Sequence, residues 1–118
     1  MEFNLSSPIY LQIMQEIKRK IASAEYKPGM RVPSVRELAV FYAVNPNTMQ
    51  RALLELEREK LLFSERTSGR FVTEDQTEIA RLRDEMADQA IEEFLFRMEG
   101  LGFDSEQISA KIKEGKRS

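Results

Sequence analysis

The chain contains no cysteine and no histidine. Without cysteine it has no disulfide, thiolate metal site or cysteine nucleophile, and without histidine it lacks the most common general base and metal ligand. No apolar run approaches the roughly 20 residues of a membrane-spanning helix, and the N-terminal residues lack the basic start and long apolar segment of a secretory signal. We therefore expect a cytoplasmic protein that is not an enzyme, has no cofactor or metal site and contacts no membrane.

The charges are distributed unevenly along the chain. Its 118 residues suffice for one domain with an appendage, and 42% hydrophobic with 32% charged residues predicts a folded, very soluble protein. Residues 1–73 hold 11 basic residues against 8 acidic ones, whereas residues 74–118 hold 7 against 12. A mildly basic N-terminal part joined to an acidic C-terminal part indicates two tasks in one chain.

A first helix is predicted to open at Ser7-Pro8, with the serine as its cap and the proline at its first position. Isoleucine recurs at every fourth residue from Ile9 to Ile21, which is the spacing of one core-facing helix stripe. The helix should end near Ala24, because a proline-glycine turn follows.

Two further helices are predicted on either side of a tight turn. Ser34 and Glu37 have the spacing of a capping box, so the second helix starts there and ends before Asn45-Pro46. The same dipeptide starts the third helix, with Asn45 as cap and Pro46 at the first position. The third helix runs to about Lys60, and its buried stripe comprises Met49, Ala52, Leu53 and Leu56.

Two short β-prone runs follow, Leu61–Glu65 and Phe71–Thr73. Between them we expect a hairpin loop over Arg66–Arg70, with Gly69 near its tip.

The C-terminal part predicts a long helix that is capped within residues 75–77 and ended by Gly100 and Gly102, then a weaker helix from Ser105 to about Glu114. Residues 116–118 are expected to fray.

The apolar stripe of the long helix is too wide for a lone helix to leave exposed, which favours a dimer interface. That interface would comprise Ile79, Leu82, Met86, Ile91, Phe94, Leu95 and Met98. Packing within the chain and a soft ligand pocket around Met86, Phe94, Phe96 and Met98 are the alternatives, but no small-molecule effector is indicated.

The order of these elements is that of a winged helix-turn-helix. We therefore expect a mainly α fold with a small β-hairpin: a winged domain over residues 1–74 and a two-helix dimerisation appendage over residues 75–118. In a winged helix-turn-helix the third helix enters the major groove of DNA.

The residue types on the third helix suit base recognition. Asn47 and Gln50 can read adenine, Arg51 can read guanine, and Thr48 can touch a thymine methyl group or a phosphate. Elsewhere Ser34 and Arg36 would meet phosphates at the start of the second helix, and the hairpin arginines would reach a phosphate or a narrow minor groove. The candidates for DNA contact are Ser34, Arg36, Asn45, Asn47, Thr48, Gln50, Arg51, Arg66, Ser68, Gly69 and Arg70.

Each candidate also has a purely structural interpretation. Arg36 alone would be a solvated helix residue, and Asn45 is foremost a cap. Asn47, Thr48 and Gln50 together would form an ordinary polar face. Arg51 has two equal interpretations, a phosphate contact or an ion pair with Glu55 four residues on.

Three separated motifs resemble one family of regulators. Pro28–Ala39 (PGMRVPSVRELA) resembles the P-G-x-R-L-P-S-x-R-E-L-A signature of GntR-family transcription regulators, and Val44–Leu53 (VNPNTMQRAL) is similar to the recognition helix of the YtrA subfamily. Gly69–Val72 (GRFV) matches the end of the family's wing. The chain departs from the pattern at Ser23-Ala24 and at Thr67, where the family often has glycine. Because an alanine in the left-handed conformation costs about 1 kcal/mol, we expect the first helix to end differently.

The resemblance implies a homodimeric bacterial repressor that binds a double-stranded, pseudo-palindromic operator near its own operon, in this subfamily often a transporter operon. It also implies that the short C-terminal helices dimerise. Winged domains serve as protein-interaction modules too, and a module without specific DNA readout is the alternative. An enzyme is a distant third, because Glu92-Glu93, without histidine or a phosphate-binding loop, is typical of a solvated face.

Overall fold

The computed structural model describes residues 1–115, and within them it has five helices and one hairpin. The elements are α1 (Ile9–Ala22), α2 (Val35–Tyr42), α3 (Pro46–Arg58), β1 (Leu62–Glu65), β2 (Gly69–Val72), α4 (Gln76–Gly100) and α5 (Ser105–Glu114). This order confirms the predicted fold class. The predicted fraying of residues 116–118 lies outside the described residues.

The chain divides into two units, one from Met1 to Leu82 and one that begins at Arg83. The division falls inside α4, whereas the sequence placed it just ahead of that helix. Ile79 and Leu82, in the first turns of α4, belong to the first unit and are buried there.

The core of the first unit lies between its helices. α3 packs against α1, α2 and β1. Ile13, Ile17 and Ile21 of α1 are at most 1% exposed, whereas Ile9 is 42% exposed, so the first isoleucine of the predicted stripe is not part of the core. The predicted α3 stripe is buried in full, and each large apolar side chain so buried contributes about 1.5–3 kcal/mol.

Two of the three caps predicted for α1, α2 and α3 are present. The Ser34 hydroxyl accepts the backbone N–H of Glu37 while the Glu37 carboxylate accepts the N–H of Ser34, both at 3.1 Å. The Asn45 carboxamide oxygen accepts the N–H of Asn47 at 2.7 Å, with Pro46 at the first helical position. The predicted Ser7 cap of α1 is wrong, because Pro8 itself occupies the cap position and no side chain caps that helix.

Three helices end in left-handed residues that are not glycine. Ala24, Ala43 and Lys60 have φ of 63°, 56° and 66°. The expectation that α1 ends differently because it lacks a glycine is therefore wrong: Ala24 adopts the strained conformation, and the N–H of Tyr26 then bonds to the carbonyl of Lys20 at 2.9 Å. Among residues 1–115 Thr67 is not one of the positive-φ residues, so the wing needs no glycine there.

The wing is a two-stranded antiparallel hairpin in which Leu62 pairs with Val72 and Glu65 with Gly69. Its tip is therefore residues 66–68. The prediction that Gly69 and Arg70 belong to the loop is wrong, because both lie in β2. The free edge of β2 receives the segment before α2: Val32 N–H bonds to the Arg70 carbonyl at 3.0 Å, and Arg31 bridges to Phe71. This pairing fixes the start of α2 beside the wing.

Beyond the wing, Asp75 directly precedes α4, and its carboxylate accepts the N–H of Thr77 at 2.9 Å. Gly102 takes φ of 93° after the end of α4. α5 begins with a second capping box, formed by Asp104 and Gln107. No helix within residues 1–115 has both the length and the apolar character needed to cross a membrane.

Candidate nucleic-acid interface

The first turn of α3 has polar side chains on its outer face and the buried Met49 on its inner face. Asn47 is exposed and Thr48 and Gln50 are half-buried, whereas Met49 is fully buried. The side-chain oxygen of Asn45 accepts the cap hydrogen bond, so the observed role of this residue is to cap α3. Asn47 and Gln50 therefore both retain accessible surface on this turn, as base readout requires.

Arg51, one turn further along α3, lies on the ring of Tyr10 in α1. Its guanidinium carbon is 3.9 Å from the ring centroid, and one of its terminal nitrogens donates to the Tyr10 hydroxyl at 3.2 Å. Glu55 pairs instead with Arg58 at 2.7 Å. The alternative of an Arg51–Glu55 ion pair is therefore wrong, and sequence reasoning missed the partner of Arg51, because Tyr10 is remote in sequence.

A groove of about 480 Å³ lies between the start of α2 and the wing. Its walls are the segment from Arg31 to Val35 and residues of the hairpin from Ser64 to Arg70. Among the predicted contacts the groove brings together Ser34, Arg66, Gly69 and Arg70. Arg36 is exposed in the first turn of α2.

Arg31 is a groove residue that the sequence analysis did not single out. Its Nε would stand 3.0 Å from a Cβ placed on Gly69, so the glycine permits the close approach of the guanidinium. Arg31 stands in the signature segment itself, between Gly29 and Pro33, and that position was the available signal. Its exposed guanidinium adds positive charge to the groove.

Arg70 lines the groove, but its side chain is mostly shielded from solvent. Its Nε is 2.6 Å from a carboxylate oxygen of Glu57 in α3, and Ser64 donates to the same oxygen. Burial raises the pKa of the Glu57 carboxyl, but these hydrogen bonds and the charge of Arg70 outweigh burial and hold the pKa below its ordinary value. Arg70 therefore ties the wing to α3, while Arg66 and Ser68 at the tip are exposed.

The second unit carries apolar side chains at its surface. Ile91 is 55% exposed and Phe96 is 78% exposed, while Met86, Phe94, Leu95 and Met98 are half-buried. Ile79 and Leu82, which the sequence grouped with them, are 8% and 4% exposed in the single chain, which leaves them little surface for a partner. Glu92 and Glu93 belong to no cluster of three metal-ligating side chains within residues 1–115.

Comparison with known proteins shows the family of this chain. The family model described as bacterial regulatory proteins, gntR family, matches residues 9–72. The HTH-type transcriptional regulator YhcF of Bacillus subtilis is 38% identical over 95% of this chain and 93% of its own length. The HTH-type transcriptional repressor YtrA of the same organism is 34% identical over 96% and 93%. These two near-full-length relatives confirm the resemblance to YtrA-type proteins.

Solved structures share the fold. A GntR family transcriptional regulator from Listeria monocytogenes superposes with a TM-score of 0.86 at 39% identity, covering 97% of this chain and 100% of that one. AraR(DBD) in complex with operator ORX1 has a TM-score of 0.56 at 29% identity, covering 62% of this chain and 92% of that one. The chain thus belongs to the gntR family of bacterial regulatory proteins and is a DNA-binding transcriptional regulator.

Proposed function

We propose that two copies of this chain form a repressor that binds a two-fold DNA operator. The observation that carries the proposal is the exposed polar turn at the start of α3, beside an arginine-bearing groove between α2 and the wing. Sequence-specific DNA binding needs both base contacts and phosphate contacts, and the polar turn and the groove offer one of each. An ordinary solvated surface has no need for the two side by side.

In the proposed complex, α3 lies in the major groove. Asn47 and Gln50 read base edges, and Thr48 contacts a base methyl group or a phosphate. Met49, buried on the opposite side, fixes the helix against the core and so sets the depth to which these side chains reach.

The phosphate contacts come from the groove and its rim. Arg31 and Arg66 supply charge, and the start of α2 adds the partial positive charge of a helix N-terminus. Arg36, exposed in the first turn of α2, reaches the backbone without reading sequence. Arg70 supports the wing through Glu57 and, as a residue that lines the groove, remains a candidate for a phosphate contact.

The C-terminal appendage forms the interface with the second copy of the chain. The surface formed by Met86, Ile91, Phe94, Leu95, Phe96 and Met98 is apolar and partly exposed, so its burial against a second copy is favourable. A two-fold dimer places two α3 helices on half-sites about one helical turn of DNA apart. The name of the relative YtrA supports repression, and the resemblance to its subfamily supports an operator near the chain's own operon, often one for a transporter. The site of action would be the bacterial cytoplasm.

The test is fluorescence anisotropy with the duplex upstream of the protein's own gene, against a scrambled duplex, over a salt series. We expect the native duplex to bind roughly a thousandfold more tightly, two chains per duplex, with affinity that falls steeply as salt rises. Weak and equal binding to both duplexes would contradict the proposal. Salt-insensitive binding to a protein, with no DNA binding at low salt, would favour the interaction-module alternative.

A further inference from the structure

The contact between Tyr10 and Arg51 joins α1, a helix of the core, to α3, the helix proposed to bind DNA. Tyr10 lies in the first turn of α1, which otherwise contributes to the core, and Arg51 lies on the helix proposed to read DNA. The ring lies 3.9 Å beneath the guanidinium and the hydroxyl accepts from it at 3.2 Å. Two different interactions therefore hold one flexible side chain in one orientation.

We propose that Tyr10 is a positioning residue for DNA readout, which holds Arg51 in the orientation that binds DNA. This inference rests on the proposed function, in which α3 lies in the major groove, and adds to it a contact of the Arg51 guanidinium with a phosphate or a guanine. A free arginine loses side-chain freedom when it binds, whereas an arginine already stacked and hydrogen-bonded loses less.

The chemistry of the guanidinium leaves it able to bind while stacked. The group has five N–H donors in one plane, and the Tyr10 hydroxyl takes one of them. The guanidinium carbon lies 3.9 Å from the ring centroid, and the N–H donors that do not bond to the Tyr10 hydroxyl can recognise a phosphate or a guanine. Stack and DNA contact are therefore compatible.

The test measures DNA affinity for a set of full-length variants with native and scrambled duplexes. Tyr10→Phe keeps the ring and removes the hydroxyl, and Tyr10→Leu removes both while keeping apolar volume. Tyr26→Leu is the matched control, because Tyr26 also lies beside a cation, with Lys20 Nζ 5.2 Å from its ring, but outside the proposed interface. Circular dichroism checks that each variant is folded.

We expect Tyr10→Leu to weaken native-duplex binding roughly fivefold to tenfold, Tyr10→Phe to weaken it less, and Tyr26→Leu to leave it unchanged. In an Arg51→Ala background, Tyr10→Leu should have no further effect, because Tyr10 acts through Arg51. A merely structural role would weaken binding equally in both backgrounds.

Two results overturn this inference alone: equal losses in both backgrounds, or tighter binding by Tyr10→Leu, which would mean that the stack withholds Arg51 from DNA. If the unaltered protein itself fails to discriminate native from scrambled duplex, the proposed function fails and this inference fails with it. The unaltered protein is therefore measured first, so that the two failures are distinguishable.

Discussion

Glu57 of α3 and Arg70 of β2 are joined by a hydrogen-bonded ion pair, 2.6 Å between carboxylate oxygen and Nε. Both side chains are mostly shielded from solvent, with 24% and 16% of their side-chain surface exposed. The pair therefore links the helix proposed for the major groove directly to the wing.

Replacement of Glu57 by glutamine should reveal this pair through its pH dependence. Because the folded pKa of Glu57 lies below its ordinary value of 4.5, the pair stabilises the fold above that pH and is lost as the pH falls through the folded pKa. Urea unfolding should show Glu57→Gln about 1 kcal/mol less stable at pH 7, with the difference shrinking below pH 4.5.

The matched control is Glu59→Gln, because Glu59 pairs with Lys18 at 2.8 Å but is 42% exposed. Its effect at pH 7 should be smaller, since exposed ion pairs contribute little. A stability difference for Glu57→Gln that is the same at pH 3 and pH 7 would contradict the assigned role.

Tyr42 carries a buried hydroxyl without a hydrogen-bond partner within residues 1–115. The residue is 3% exposed, and burial is the main cause that raises its pKa to about 12. Tyr42→Phe should therefore increase the free energy of unfolding at pH 7 by about 1 kcal/mol, because the unpaired polar group is removed.

The stability difference between Tyr42→Phe and the unaltered protein should also depend on pH in the alkaline range. The unfolded phenol ionises near pH 10 and the folded one near 12, so ionisation lowers the stability of the unaltered protein as the pH rises from 10 towards 12. Chemical denaturation from pH 7 to 11 should show a widening advantage for Tyr42→Phe. A variant less stable at every pH would contradict this account.

Ala24 adopts φ of 63° after α1, a conformation that favours glycine. Ala24→Gly should stabilise the protein by about 0.5–1 kcal/mol, because relief of left-handed strain exceeds the added backbone entropy of the unfolded chain. Ala80→Gly is the matched control: Ala80 is exposed within α4, and there glycine should destabilise by about 1 kcal/mol. Thermal unfolding distinguishes the two signs, and destabilisation by both variants would contradict the strain argument.

Local sequence signals predicted the parts of the fold that local interactions decide. The capping box at Ser34 and the cap at Asn45 follow from hydrogen bonds within three residues, and the α3 stripe follows from helical periodicity. The candidate interface on α3 followed from residue type and helix face together.

Contacts between remote segments could not be predicted in this way. Arg70 was predicted as a DNA contact, and its hydrogen bond to Glu57, 13 residues away in sequence, was not predicted. Arg51 meets Tyr10 across 41 residues, and no spacing rule reaches that far. Arg31 joined the groove only because the segment before α2 pairs with β2.

Asn47 and Arg36 should differ in what their loss does to DNA binding. Asn47→Ala should lower affinity for the native duplex about 10-fold or more while leaving the scrambled duplex nearly unchanged, because a base contact is lost. Arg36→Ala should lower affinity for both and reduce the salt slope by about one, because a phosphate contact is lost. Anisotropy with both duplexes measures this, and equal losses for Asn47→Ala on both would refute base readout.

The exposed apolar side chains of the appendage should govern the oligomeric state. Replacement of Ile91 and Phe96 by serine removes large apolar surface that is 55% and 78% exposed, so the folded chain should keep its stability while a dimer loses contact area. Sedimentation velocity should show a dimer for the unaltered chain and a monomer for the double variant.

The matched control is Val40→Ser, because Val40 is also 78% exposed but lies on α2 in the first unit. It should leave the dimer intact. The monomeric double variant should bind a half-site duplex as well as the unaltered protein does, but lose the gain that two linked α3 helices give on a two-fold duplex, which is about 100-fold or more. A double variant that stays dimeric would place the interface elsewhere, and a loss of half-site binding would show that these residues also support the winged domain.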